Sequence, residues 1–258
     1  LVALAVALGG PLAEDAAKAM DLGARMLPPG TLQGGIGNIL GTDTLGRPML
    51  ARLAFAARDT ILIAGSAVLL SLSIGGILGL IAGYAGGWAG ALIMRLADVL
   101  QSFPAVLLAI VVLYVFGSGP ATLIAVLAVT RAPVYIRTAR ASTMEIRQRL
   151  FTDAARTFGA TPSYILARHI APILAPTLIA IATVDFAVVM LAEAGLSFLG
   201  IGIQPPDVTW GLMVAQGRSH VAQAWWLAFL PGMAIMLTAL SANIVANWLR
   251  ERRPVGSR

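Results

Sequence analysis

Thr60–Met94, TILIAGSAVLLSLSIGGILGLIAGYAGGWAGALIM, lies between Asp59 and Arg95 without a single charged residue. A helix crossing a bilayer needs roughly 20 apolar residues. The run is therefore too long for one crossing and long enough to begin two. Gly86-Gly87 supplies the break, because glycine enters turn conformations at little steric cost. The reading is two spanning helices, about 60–84 and about 88–113. The first carries Gly75, Gly79 and Gly83 at four-residue spacing. Small residues repeated on one face let two helix backbones approach closely. Packing within the chain is the expected use of that face, in preference to a dedicated dimer contact. In the second helix Pro104 is expected to produce a kink. Arg95 and Asp98, three residues apart, share a helix face and can pair.

Composition extends the membrane reading to the whole chain. Of 258 residues, 58% are hydrophobic and 12% charged, where soluble domains carry roughly 25% charged residues. Mean hydropathy is +0.85. Cysteine is absent, so neither a disulfide framework nor a thiolate metal site is available. With His169 and His220 the only histidines, no metal site is expected. The net charge is +6, and every basic residue except Lys18 is arginine. These arginines cluster beside apolar runs, as topology-setting charges do. The expected partner of that charge is the lipid bilayer, with no nucleic acid.

Taken in order, Leu1–Leu8 are too few to span and are read as the outer end of a first spanning helix, not as a signal peptide. Residues 11–59 are polar and turn-rich, with a helix expected from Pro48. After the turn Phe116–Pro120 comes a span of about 121–136, interrupted by Arg131 and Pro133. A basic loop, 137–169, leads to a span of about 170–192. A connection, 193–224, precedes a last span of about 225–248 and a tail, 251–258. The 137–169 loop and the C-terminus are the arginine-rich sides, so both are expected in the cytoplasm. Counting back gives six spans with both termini cytoplasmic, and 11–59, 114–120 and 193–224 outside. Trp88, Trp210, Trp225, Trp226 and Trp248 all fall near expected span ends, where interfacial anchors belong. The fold class is an all-α integral membrane protein.

No hydrolase triad, phosphate-binding glycine loop or metal-ligand cluster is present in the sequence. Gly75-Gly76 and Gly86-Gly87 lack the Lys-Ser/Thr of a P-loop. The expectation is a chain that is not itself an enzyme and binds no cofactor. Asp185 is the one acid well inside a span, and such residues are functional candidates by default. Two readings stay open for it: a contact along a path, or an acid paired to a neighbouring helix or subunit. Glu193, near the outer end of the same span, is read as reachable by water, with a structural or gating role preferred. His220 is read as solvated surface.

The basic segment Leu150–Pro172, LFTDAARTFGATPSYILARHIAP, carries more. Phe151, Ala155 and Phe158 follow i, i+4, i+7, which gives a short helix an apolar face. Ala154 and Ala155 keep that helix thin. Gly159 permits a turn, and Pro162 can open a second helix. Such a helix either lies on the membrane surface or seats in a groove of a partner. The pattern alone does not choose.

Asp153-Ala154-Ala155, three residues, Gly159, then Arg168-His169-Ile170-Ala171-Pro172 resembles the EAA loop of permease subunits of bacterial ABC importers. Other stretches resemble one branch, the dipeptide/oligopeptide/nickel permeases, in their C-type component. These are Leu40–Asp43 with Gly46-Arg47, Gly83–Trp88, Ala192–Gly200, Gln204–Pro206 with Trp210-Gly211, and Pro231-Gly232. Asp153 stands where that family usually has Glu, Ala171 where it has Leu, and Pro48 where it commonly has Asp.

The resemblance implies a type I ABC importer permease fold in the bacterial inner membrane. It implies that Phe151, Asp153, Ala154, Ala155, Phe158, Gly159, His169 and Pro172 couple the chain to an ATPase, with Asp185 and Glu193 as candidates for the translocation path. Implied partners are a second permease subunit, two ATP-binding subunits that hold the ATP, and an extracytoplasmic substrate-binding protein. Peptides lead as cargo, and nickel chelates, glutathione and haem-like molecules are handled by similar systems. The competing reading is a secondary transporter or channel that needs no ATPase.

Overall fold

The computed structural model describes residues 11–31 and 38–251. The expected first span at Leu1–Leu8, and all of the tail beyond Glu251, lie outside the described residues. Among the described residues the chain is helical, apart from an isolated bridge between Thr42 and Pro48. The helices are α1 (Pro11–Lys18), α2 (Met49–Ala85), α3 (Gly87–Ser102), α4 (Ala105–Phe116), α5 (Pro120–Arg147), α6 (Leu150–Thr157), α7 (Pro162–Phe198), α8 (Trp210–Gly217) and α9 (Trp226–Glu251). In hydrocarbon every backbone N–H and C=O must be satisfied within the segment, which leaves the helix as the economical way across. Four helices, α2, α5, α7 and α9, are long and apolar enough to cross a membrane, and the α3–α4 pair makes a fifth if counted as one span.

That pair corrects one expectation. Pro104 does more than kink a helix: α3 and α4 are turned by 87°. Proline removes a backbone donor and its ring clashes with the preceding turn. It also drives the residue before it out of the α region, and Phe103 is extended at φ −93°, ψ 137°. Pro133, by contrast, does not interrupt α5, which runs on to Arg147. The span read as 121–136 thus continues through the first third of the expected 137–169 loop. The helix expected from Pro48 and the span expected from about residue 60 are likewise one helix, α2.

The chain divides into two compact units. One holds the described residues up to Gly65, with Val112–Leu123 and Ala187–Ser241. Its organising group is Asp43, which is buried. Asp43 Oδ1 accepts the backbone N–H groups of Leu45 and Arg47, both at 2.8 Å. Its Oδ2 accepts Arg47 Nε at 2.7 Å and Arg52 Nη1 at 2.5 Å. Arg52 in turn donates to Gln216 Oε1 of α8 at 3.2 Å. Two tryptophans also tie this unit together. Trp226 donates to the Thr42 carbonyl at 3.1 Å, and Trp210 to the Leu53 carbonyl at 2.9 Å. Both are only 4% exposed. They are core residues and not the interfacial anchors expected of all five tryptophans; Trp88, Trp225 and Trp248 remain exposed.

The other unit holds Ser66–Val111, Ile124–Phe186 and the described residues from Ala242 on. Here α2 packs on α5 through the glycine stripe. A Cβ at Gly75 would lie 2.7 Å from the Ala132 carbonyl oxygen, and one at Gly83 would lie 2.6 Å from Thr143 Cβ. At Gly79 it would lie 2.5 Å from Ala139 Cβ. The stripe therefore serves packing within the chain. Tyr135, Ala139, Leu174 and Leu178 form the buried core around this contact. Asp98 of α3 pairs with Arg137 of α5 at 2.7 Å, and not with Arg95 as helix spacing suggested. The tertiary neighbour wins because it brings a guanidinium onto the carboxylate in good geometry.

Candidate functional site

The basic segment folds as two helices joined by a tight turn. Arg149 precedes α6 in extended conformation. Thr152 is buried and donates from Oγ1 to the Ile146 carbonyl at 3.0 Å, which ties the first turn of α6 to the end of α5. Asp153 faces outward and pairs with Arg156 at 3.2 Å. Gly159 sits at φ +84°, the left-handed conformation that ends many helices and favours glycine. Thr161 then caps α7, its Oγ1 accepting the Tyr164 N–H at 3.3 Å, with Pro162 at the first helical position. These are the turn and the helix start that Gly159 and Pro162 predicted.

The first turns of α7 are unusual. Ile165–Ile170 form a π-helical turn, with the Ala171 N–H donating to the Leu166 carbonyl. Such widened turns are rare and occur often at functional sites. This one falls where Pro172 withdraws a donor from the ladder and would crowd the preceding carbonyls. Ile165 and Ile170 are buried beside Ile146, with Ala155 and Ala160 against them. That small core holds the segment's shape.

Above the core the segment presents an open hollow of about 640 Å³. It is lined by Phe151, Ala155, Phe158, Gly159, Tyr164 and His169, among others. His169 lies 6.3 Å from the Phe151 ring and edge-on to Tyr164 at 5.7 Å. Phe158 is 90% exposed. Asp153 and Ala154 are exposed on the outer side of α6, and Pro172 is exposed on α7. Around the base, Arg147 donates to the Tyr84 carbonyl at 2.5 Å, and Arg147 and Arg156 each stack on the Tyr84 ring. Tyr84 and Arg147 were not singled out in the sequence. Tyr84 stood within the Gly83–Trp88 stretch and Arg147 among the arginines of the basic loop.

The structure thus brings Phe151, Ala155, Phe158, Gly159 and His169 together around one hollow. Asp185 and Glu193 lie elsewhere on α7. Asp185 is buried and ion-paired with Arg131 of α5. The pairing to a neighbouring helix is present, and it leaves the path reading open. Glu193 is fully buried, its Oε1 accepting Ser197 Oγ and Thr209 Oγ1, both at 2.8 Å. It is not reachable by water as its position near a span end suggested, because α8 and its capping residue Thr209 close over it. His220 stands at the end of a short helical turn, its Nδ1 at 3.0 Å from Ser219 Oγ. No group of His, Asp or Glu that could hold a metal ion occurs among the described residues.

Apolar helices packed through small residues, with a structured basic segment left exposed between two of them, define a multi-pass membrane protein. A family model described as "Binding-protein-dependent transport system inner membrane component" matches residues 75–253. The chain belongs to that family and is an inner-membrane permease component of the ABC importer kind. The di/tripeptide transport system permease protein DppC of Pseudomonas aeruginosa is 39% identical over 227 residues, covering 88% of this chain and 75% of that protein. The glutathione transport system permease protein GsiD of Pectobacterium atrosepticum is 38% identical over 212 residues, covering 82% and 70%. Among solved structures, a chain of the MetNI methionine ABC transporter superposes with a TM-score of 0.62 at 18% identity. The match covers 78% of this chain and 98% of that one, and it supports the fold.

Proposed function

We propose that this chain is one permease subunit of an ATP-driven importer of di- and oligopeptides, forming half of the translocation path. Its partners in this reading are a second, similar permease, two ATP-binding subunits and an extracytoplasmic substrate-binding protein. The chain has six spans with both termini in the cytoplasm. It binds no cofactor and catalyses nothing; ATP stays on the partner subunits. The identity to a di/tripeptide permease component supports the cargo, and glutathione, itself a tripeptide, is the second candidate.

The hollow around Phe158 is the observation that carries the energy-coupling reading. An aromatic ring 90% exposed beside a segment held rigid by its own small core is suited to insertion into a groove of another protein. Closure of the ATP-binding subunits then moves α6, and the spans rock to open the path outward, a domain-scale switch of a common kind. The segments 11–59 and 193–224 face the binding protein.

Reconstitution of the full complex in proteoliposomes tests this. Dialanine uptake should require ATP and the ATP-binding subunits. Ala155→Trp, which fills the hollow, should abolish uptake while the variant still inserts and assembles with the second permease. Uptake that persists without the ATP-binding subunits would instead favour a secondary transporter.

A further inference from the structure

Arg131 of α5 and Asp185 of α7 form an ion pair within helices long and apolar enough to cross a membrane. The pair is one-handed. Arg131 Nη2 meets Asp185 Oδ1, while Arg131 Nε and Asp185 Oδ2 are buried without a hydrogen bond of good geometry, the Tyr135 hydroxyl being the other polar group beside Asp185. The Asp185 side chain is 5% exposed and that of Arg131 is 29% exposed. A guanidinium offers five N–H donors in a planar fork that matches a carboxylate with two parallel bonds. One bond to Asp185 leaves that fork largely open. A buried ion pair with unsatisfied atoms is a poor stabiliser, and apolar replacements usually serve a core as well or better. Packing alone does not account for it.

The side of α5 on which Arg131 opens is polar as well. Thr130, Val134, Arg137 and Thr138 are partly or fully exposed, while Ala132, Ile136 and Ala139 are buried; Tyr135, one turn on from Arg131, is buried on the same face with its hydroxyl beside Asp185. Ionisable residues within spans face a bundle interior or a water-filled cavity in preference to lipid. The Arg131 side of α5 thus has the character of a surface along a path.

We propose that Arg131 is a binding residue for the carboxylate of the transported substrate, with Asp185 as its resting counter-ion. The carboxylate takes the open prongs of the guanidinium, and Asp185 keeps the cation neutralised and oriented when the path is empty. This rests on the peptide-import reading above, since every free peptide, glutathione included, ends in a carboxylate.

The test uses the complete transporter in proteoliposomes, with saturating binding protein loaded with dialanine. Arg131→Gln should lower uptake roughly tenfold or more, the loss expected for a charge-assisted pair, while ATP hydrolysis stimulated by the loaded binding protein is retained. Arg131→Lys should recover part of the uptake. Asp185→Asn, which leaves Arg131 cationic but without its counter-ion, should lower uptake less than Arg131→Gln does. The double variant Arg131→Gln/Asp185→Asn removes both buried charges and so guards against misfolding of the single one. It should assemble normally and remain defective. Recovery of uptake in the double variant, or normal uptake in Arg131→Gln, would reduce the pair to a structural bond. A defect equal for dialanine and for its C-terminal amide would also overturn the carboxylate assignment. Absence of any peptide uptake by the unmodified complex is a separate result, and it would sink the peptide reading itself.

Discussion

The indole of Trp226 donates its N–H to the carbonyl of Thr42, 184 residues earlier, at 3.1 Å. The bond joins the first turn of α9 to the Thr42-Asp43 loop, and the ring is 4% exposed. Trp226→Phe keeps most of the apolar bulk and leaves the carbonyl without this donor. A lost buried hydrogen bond costs about 1–3 kcal/mol, so the melting temperature in detergent should fall by several degrees. Trp226→Ala should fall further, since emptying a large aromatic site costs about 3–5 kcal/mol. Equal melting temperatures for Trp226→Phe and the parent would show that the bond contributes nothing.

Asp43 carries the same unit. It holds two backbone N–H groups and two guanidinium groups with its two oxygens. Asp43→Ala would strand Arg52, whose side chain is 5% exposed. Breaking a buried pair by removing one partner costs about 3–5 kcal/mol. The expected result is poor accumulation of the variant in the membrane. Asp43→Asn, which keeps the acceptor toward backbone N–H groups, should be intermediate when both are followed by thermal unfolding.

Gly79 and Gly65 make a matched pair on α2. A Cβ at Gly79 meets Ala139 Cβ at 2.5 Å and the Ile136 carbonyl oxygen at 2.6 Å, whereas one at Gly65 meets nothing within 4 Å. Gly79→Ala must push α2 from α5 and should lower stability by about 1–3 kcal/mol, the usual range for overpacking. Gly65→Ala should be neutral or slightly stabilising, because alanine is the better helix former. Thermal melts of the two variants in one detergent decide the comparison.

Phe158, 90% exposed, contributes little to the fold of its own chain. Phe158→Ala should leave the melting temperature of the isolated permease within about 2 °C, as surface substitutions change stability by only about 0.5 kcal/mol. In the assembled transporter it should weaken retention of the ATP-binding subunits and lower uptake by roughly tenfold. Co-purification and uptake measured on the same preparation test this. Unchanged retention would remove Phe158 from the docking surface.

Apolar length marked α2, α7 and α9 as helices able to span. The turn chemistry of Gly159 and Pro162 marked the helical break in the basic segment. Both are local properties: apolar length sets what can cross a bilayer, and a left-handed glycine or an N-terminal proline acts within one turn. The apolar face of Phe151, Ala155 and Phe158 was legible for the same reason, whereas the hollow they line with Tyr164 and His169 was not.

Partner choice was not legible. Asp98 had Arg95 at helical spacing, but its partner is Arg137, 39 residues on. Trp210 and Trp226 stood beside span ends like Trp88, yet each found a backbone carbonyl and became core. The sequence by itself determined that this chain is helical, belongs in a membrane and exposes a basic segment, because hydropathy and turn propensity are carried by consecutive residues. The tertiary structure alone decided which charges pair and which tryptophans are buried. Those outcomes depend on what lies opposite each side chain, and residues far apart in the chain supply it.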